Sequence, residues 1–291
     1  HDTDKICTFL QEAKRLEIPI DPPSINKSLA NFSIEIENGV KKIIYGLGAI
    51  KSVGKQSMLL LEKIRNEKGL FKDIFDLAEK TGPQIINKKQ LEALTRSGAL
   101  DEIITNRNQI IANTETIIKY TSTFEKESLS NQTSLFSNDA DHSLQPTLVK
   151  ANEWDNKKRL QHEFAALGFF LTQHPLDSYQ MILKKLNITE SLSIEEKCKE
   201  FLPEIFLAGV ILNFKQRFGK NGRFTTLQLS DCSGTFELSI FDDDLIERSR
   251  PLLVNGQNLF ITASARRNEG NVRVNAINIE SLEEKIKKQP I

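Results

Sequence analysis

The sequence predicts an α+β chain of several domains: an all-helical part first, then an exposed linker, and last a small five-stranded β-barrel. Three observations carry this. Between residues 41 and 120 apolar residues recur at helical spacing around glycine-containing breaks. Residues 121–150 lose every apolar period, and from Glu204 onward apolar residues alternate with polar ones in five short β-rich segments.

The chain has 291 residues, enough for separate cores, and 39% hydrophobic with 27% charged residues is ordinary globular composition. No apolar run approaches the ~18 residues that cross a bilayer, and no signal core opens the chain, so a cytoplasmic location without a membrane partner is expected. Lys+Arg and Asp+Glu both number 39, so any binding to nucleic acid must come from local patches rather than from overall charge. Cys7, Cys198 and Cys232 form no Cys-x-x-Cys pair and read as reduced and incidental. The histidines at 1, 142, 162 and 174 assemble neither a metal site nor a nucleophile pair, which leaves His174 a structural role and this chain without an expected cofactor or metal. Residues 1–40 start with a helix over Asp4–Leu16 that Pro19, Pro22 and Pro23 break, and the absence of an initiator methionine reads as an excerpt from a longer polypeptide.

Within residues 41–120 the informative stretch is Tyr45-Gly46-Leu47-Gly48-Ala49-Ile50-Lys51-Ser52-Val53-Gly54-Lys55. Three glycines would spoil one long helix, yet Leu47, Ile50 and Val53 keep helical spacing, so two short helices with a turn at Ser52 to Gly54 are expected. Gly54 is free to take positive φ or to let a ligand approach, and the helix beginning at Lys55 would present unpaired amides there. Such an N-terminus suits a phosphate oxygen and carries no base information, which makes Lys51, Ser52, Val53, Gly54 and Lys55 candidates for contact with double-stranded DNA. The surroundings agree: Lys41, Lys42, Lys51, Lys55, Lys63 and Arg65 stand against the single acid Glu62 between residues 41 and 65. A second copy follows, with Leu91, Ala93, Leu94, Leu100 and Ile103 flanking a break at Ser97-Gly98-Ala99 and a helix Asn106–Ile118 after it. Ser97 and Gly98 are the corresponding phosphate candidates. The run Leu70–Leu77, with Leu70, Ile74, Phe75 and Leu77 inward, connects the two. The region reads as a tandem helix-hairpin-helix domain.

The linker 121–150 holds Gln132-Thr133-Ser134-Leu135-Phe136, two large apolar side chains in polar surroundings. Such a peptide can insert Leu135 and Phe136 into a partner's pocket while Gln132 bonds at its rim. Burying the two is worth roughly 3 to 6 kcal/mol, below the ~8 kcal/mol of a micromolar complex, so the hook would bind weakly alone and gain from effective concentration.

Residues 151–203 return to a helical connector with Trp154, Leu160, Phe164, Leu167 and Leu171 in phase. The strands are expected at Ile205–Phe214, Arg223–Ser230, Gly234–Phe241, Asn258–Ala265 and Val272–Ile279, with a helix between the third and fourth in Asp242–Gly256. That order is an OB-fold over 204–280, followed by a tail at 281–291. Single-stranded nucleic acid lies across strands two and three of this fold between its first and last loops. Here the first loop carries Lys215, Arg217, Phe218, Lys220 and Arg223 and the last Arg266 and Arg267. Phe218, in the loop itself, is the phenylalanine expected to stack on a base, while alternation leaves Phe214 and Phe224 between core and surface. Asp242-Asp243-Asp244 reads as a helix cap rather than a metal site.

Longer segments carry a family resemblance. Ile43 through Gly54, Ile86-Asn87-Lys88 through Asp101, and Ala166-Leu167-Gly168-Phe169-Phe170-Leu171-Thr172-Gln173-His174-Pro175-Leu176-Asp177 resemble successive segments near the carboxyl end of the family C replicative DNA polymerases, the polymerase III alpha subunits of bacteria. Glu17–Ser28 resembles the end of that family's fingers region, and Ser52 and Gln173 stand where the family commonly has glycine. The resemblance implies that Gln132, Leu135 and Phe136 bind the sliding clamp, that the hairpins hold duplex and that the barrel handles single strands. It places the Mg2+-binding polymerase carboxylates upstream, so these residues alone are expected to be inactive, and a contact with the clamp-loader tau subunit downstream. Two other readings stand beside it. Gly222–Asp231 also resembles the anticodon-binding OB-fold of aminoacyl-tRNA synthetases, and the whole could be a non-enzymatic DNA-binding scaffold.

Overall fold

The computed structural model describes residues 5–6, 9–10, 12–13, 16–129, 145–219, 222–268 and 270–288. These divide into two units, His1–Thr172 and Gln173–Ile291. Gln132, Leu135 and Phe136, expected to bind a clamp, lie outside the described residues.

The first unit opens with a small sheet that the sequence reading missed. Strands β1 (Ile20–Asp21), β2 (Ser33–Glu37) and β3 (Val40–Ile44) run in the order β1-β3-β2. The hairpin joining β2 and β3 turns at Asn38 and Gly39, both with positive φ (51° and 80°). An Asn-Gly pair beside the alternating Ile34-Glu35-Ile36-Glu37 is a strong short-range hairpin signal, because the primed turn needs left-handed residues at both positions. Residues 41–44 are therefore strand and not helix.

Helices α1 (Lys55–Lys68), α2 (Ile74–Thr81), α3 (Lys88–Ser97), α4 (Arg107–Ala112), α5 (Thr114–Leu129) and α6 (Asn156–Leu167) complete this unit. In α1, Met58, Leu61 and Arg65 are buried, three residues on one face. α2 starts at Ile74 because the Asp73 carboxylate accepts from the amides of Phe75 and Asp76, so Leu70 lies before the helix and is exposed. Phe71 takes the core position instead, its backbone clasped by both amide atoms of Asn26. The expected helix Asn106–Ile118 is broken at Asn113, whose side chain bonds Gln109 and both backbone groups of Val149. α5 then runs on to Leu129, so the extended segment starts later than Thr121.

The second unit is a barrel. Strands β4 (Phe201–Gly219), β5 (Gly222–Ser230), β6 (Thr235–Ile240), β7 (Asn258–Asn268) and β8 (Asn271–Ser281) close in the order β4-β5-β6-β8-β7, with β7 paired back to β4. The barrel's parallel pairing, β6 with β8, and the helix α9 (Asp243–Ser249) between β6 and β7 complete the OB topology. Leu207, Leu227, Leu229, Leu238, Ile240, Ile261, Ala265 and Val274 fill the interior at alternate positions. The short helices α7 (Gln180–Lys185) and α8 (Ile194–Lys197) precede the barrel; α9 spans Asp243–Ser249 and α10 spans Leu282–Lys287. Asp242 caps α9 through the amides of Asp244 and Leu245, as the acidic run suggested. α10 corrects the expected tail: Leu282 is fully buried and Asn258 donates to Glu283, so residues to 287 belong to the barrel unit.

Candidate nucleic-acid interface

The first glycine hairpin is built by close backbone packing. Leu47 and Gly48 donate to the carbonyls of Leu29 and Ala30, and a Cβ at Gly46 or Gly48 would sit 2.5 Å from Asn31 or 2.7 Å from Ala30 backbone atoms. Only residues without side chains pack there. Arg65, buried, holds the same loop by donating to the Ile25 and Ser28 carbonyls, and Glu62 accepts from Ala30. What precedes the turn is a single 3-10 turn, Leu47–Ala49, rather than a full helix.

The turn itself corrects the sequence reading in one respect. The left-handed residue is Ser52 (φ 65°), not Gly54, which has φ −76°. Ser52 occupies the position where the resembled family commonly has glycine, and its φ supplies the physical reason for that preference. Lys51, Ser52, Gly54 and Lys55 are all exposed, whereas Val53 is 3% exposed and packs into the core, leaving its side chain no role at the surface. The amides of Lys51 and Val53 are used internally, on Ala166 and Ile50. Those of Lys55, Gln56 and Ser57, in the first turn of α1, have no partner among the described residues, and Gly54 supplies no side-chain cap. By contrast α2, α3, α4, α6 and α9 are capped by Asp73, Asn87, Asn106, Asp155 and Asp242. Two of the cations counted in the sequence are not available: Lys42 is held by Asp21, Glu35 and Glu37, with its pKa raised chiefly by the bond to Glu37, and Arg65 is buried.

The second hairpin offers no equivalent seat. Ser97 is buried and its hydroxyl donates to the Leu94 carbonyl. Gly98 closes α3 in the left-handed region (φ 83°), its amide bonded to α3 carbonyls, and that of Ala99 is bonded to Leu94. Arg107 packs against Gly98 and grips Asp101 through Nε and Nη2 at 2.7 and 2.5 Å, while Lys27 pairs with Glu102 at 3.6 Å. The cleft here, of about 160 Å3, is lined by Asp21, Asp101 and Glu102 as well as by cations. Ser97 and Gly98 are thus spent on closing a helix.

On the barrel, β4 and β5 run on as a ribbon that pairs as far as Gly219 with Gly222. Lys215, Arg217 and Phe218 are therefore strand residues rather than loop residues; Lys220 lies outside the described residues. The ladder pairs Lys215/Thr226, Thr226/Ser239, Ser239/Asn275 and Asn275/Ser264 form one rung across all five strands. It alternates with the buried Leu227 and Leu238 and so lies on the outer side of the barrel, where Lys215 is exposed, Ser239, Asn275 and Ser264 are half-buried and Thr226 is covered. Beside it Arg217 pairs with Phe224, and Phe224 stacks on Phe241 at 5.4 Å. Further along, Arg266 pairs with Arg273 and lies over the ring of Phe201 at 5.0 Å. Phe218, 87% exposed, pairs with Arg223 on the other side of the ribbon, where Arg223 reaches Asp243 and Glu247 of α9. Arg267 is withdrawn from the surface reading, since its guanidinium donates to the carbonyls of Glu195, Cys198 and Gly270. Phe224, half-buried beside the exposed Phe241, is a residue that sequence reasoning left undecided; the alternation of Leu227 and Leu229 with it, once anchored in register, assigns it outward.

His174 is 8% exposed, with Nδ1 accepting from Leu176 and Nε2 bonded to Ser230. No group of three potential metal ligands gathers among the described residues, and no helix of theirs is long and apolar enough to cross a membrane.

Hairpin and barrel together define a class: a helix-hairpin-helix segment followed along the chain by an OB-fold. Residues 17–110 match the model of the helix-hairpin-helix motif. DNA polymerase III subunit alpha of Rickettsia conorii is 33% identical over 97% of this chain and 26% of its own length, and that of Rickettsia prowazekii 34% over 97% and 26%. The Caulobacter vibrioides protein is 31% identical over 98% of this chain and 24% of its own. The chain belongs to the bacterial DNA polymerase III alpha-subunit family and spans about a quarter of the length of the curated relatives it matches. Among solved structures, the mitochondrial single-stranded DNA binding protein Rim1 from S. cerevisiae covers 27% of this chain and 92% of its own, at 16% identity and a TM-score of 0.25.

Proposed function

We propose that this chain holds DNA for a replicative polymerase. Duplex phosphate is seated at the start of α1, a single strand crosses the outer barrel face, and the Gln132, Leu135 and Phe136 peptide fastens the whole to the sliding clamp. Nucleotide addition, with its Mg2+, is proposed for the whole protein and not for these residues.

The observation that carries the reading is the bare N-terminus of α1 between exposed Lys51 and Lys55. Three free amides at the positive end of a 14-residue helix attract an anion, and two flanking ammonium groups add sequence-independent attraction. On the barrel, the Phe224 and Phe241 rings beside Lys215 and Arg217 combine a stacking platform with backbone-tracking charge, which suits unpaired bases. The test is duplex binding by the Lys51→Ala, Lys55→Ala double variant as salt is varied. Affinity should fall alike for all sequences, and the slope of log affinity against log salt should flatten by about 2. An unchanged slope would remove duplex from this site.

A further inference from the structure

Gly54 poses a question that the fold does not answer. Its backbone (φ −76°, ψ 129°) is open to any residue, and a Cβ there would meet only Ser57 Oγ at 3.6 Å and Gln90 Nε2 at 3.7 Å, ordinary contacts. Ser, Asn or Asp at this N-cap would satisfy the helix. Nothing among the described residues requires glycine, and the space it leaves is bordered by two donors.

Gln90 sits on a different helix and is 5% exposed. Its orientation is fixed: Asn87 donates its backbone N–H to Oε1 at 3.0 Å in the capping box of α3, so Nε2 must point the other way, toward Gly54. That amide has no partner among the described residues, and neither has the Ser57 hydroxyl. We propose that Gln90 Nε2 and Ser57 Oγ complete, with the first-turn amides of α1, a seat for one phosphodiester oxygen of duplex DNA. The inference rests on the duplex reading above and adds to it a ligand from α3. Exposed Lys89, next in sequence to Gln90, would extend the contact to the adjoining phosphate.

The deciding variant is Gln90→Glu. A glutamate oxygen accepts the Asn87 amide as well as Gln90 does and keeps the capping box, while the free donor becomes a carboxylate oxygen that repels phosphate. Duplex affinity of the full chain, read by fluorescence anisotropy, should fall about tenfold or more, with the melting temperature kept; the Gln90→Ala variant should lose affinity by a smaller factor. If Gln90→Glu binds duplex as the wild type does while Lys51→Ala, Lys55→Ala does not, the role of Gln90 is overturned and the duplex reading survives. If neither variant changes binding, both fall. Inorganic phosphate exchanged for chloride at equal ionic strength should leave duplex affinity within about twofold, because a duplex holds neighbouring lysines that free phosphate does not. A tenfold loss would assign the seat to the free anion and overturn the DNA assignment.

Discussion

Phe224 on β5 and Phe241, directly after β6, stack with ring centroids 5.4 Å apart and planes 26° from parallel, and Phe241 is 61% exposed. A stacked pair beside Arg217, with Phe224 half-buried and Phe241 open, would offer a base a platform whose orientation is set before a strand arrives. Phe224→Ala or Phe241→Ala should weaken binding of an oligothymidylate by about 1 to 3 kcal/mol, and Phe218→Ala, on the other side of the ribbon, by much less. Anisotropy titrations of the three variants with a labelled oligonucleotide check the order. A larger loss at Phe218 would move the strand to the opposite face.

Ser52 carries the left-handed turn of the first hairpin at φ 65°. Replacing it with glycine relieves the Cβ clash but adds unfolded-state entropy, so Ser52→Gly should raise stability by a few tenths to about 1 kcal/mol. Duplex affinity should stay within twofold. Denaturant melts compared with the wild type give the answer.

Trp154 lies flat on His162, the ring centroids 3.9 Å apart. Burial first, then the charges of Arg96, Lys158 and Arg107, hold the His162 pKa below its ordinary 6.5. The folded state thus resists the proton. The stability this group contributes is full above pH 6.5 and is lost as pH falls from there through the depressed folded-state value. Urea melts followed by Trp154, the sole tryptophan, should show this acid-side loss in the wild type and a flatter profile in His162→Gln.

Arg107 and Asp101 form a two-pronged ion pair beside Gly98, with the arginine also donating to the Arg96 carbonyl. A lysine reaches only one prong. Arg107→Lys should cost about 1 to 3 kcal/mol of stability. Because the second hairpin is closed on itself, duplex affinity should change by less than twofold; a strong loss with the fold intact would return Ser97 and Gly98 to the DNA surface.

Much of this was legible in the sequence, and the failures have physical causes. Helical spacing located α1 and α3, and alternation located all five barrel strands. The Asn38-Gly39 hairpin carried a readable signal that the flanking polar residues disguised, since Ile34 and Ile36 are exposed and bury no face. The ribbon of β4 was invisible because Lys215, Gln216 and Arg217 are poor strand formers held in place by their partners on β5. Arg267 and Lys42 looked like free cations because carbonyls and carboxylates distant in sequence claim them only after folding. The bare helix start at Gly54 was legible, but the neighbour that completes it, Gln90, is 36 positions away, and local spacing cannot bring the two together.

The most direct test of the account is a cap placed on α1. Gly54→Asp gives the free amides an internal carboxylate, fits without a clash, and should leave stability unchanged or higher by a few tenths of a kcal/mol. We expect anisotropy with a labelled duplex to show binding reduced by an order of magnitude or more in a protein that melts no earlier than the wild type. Undiminished duplex binding in that variant would contradict the claim that the α1 terminus seats DNA.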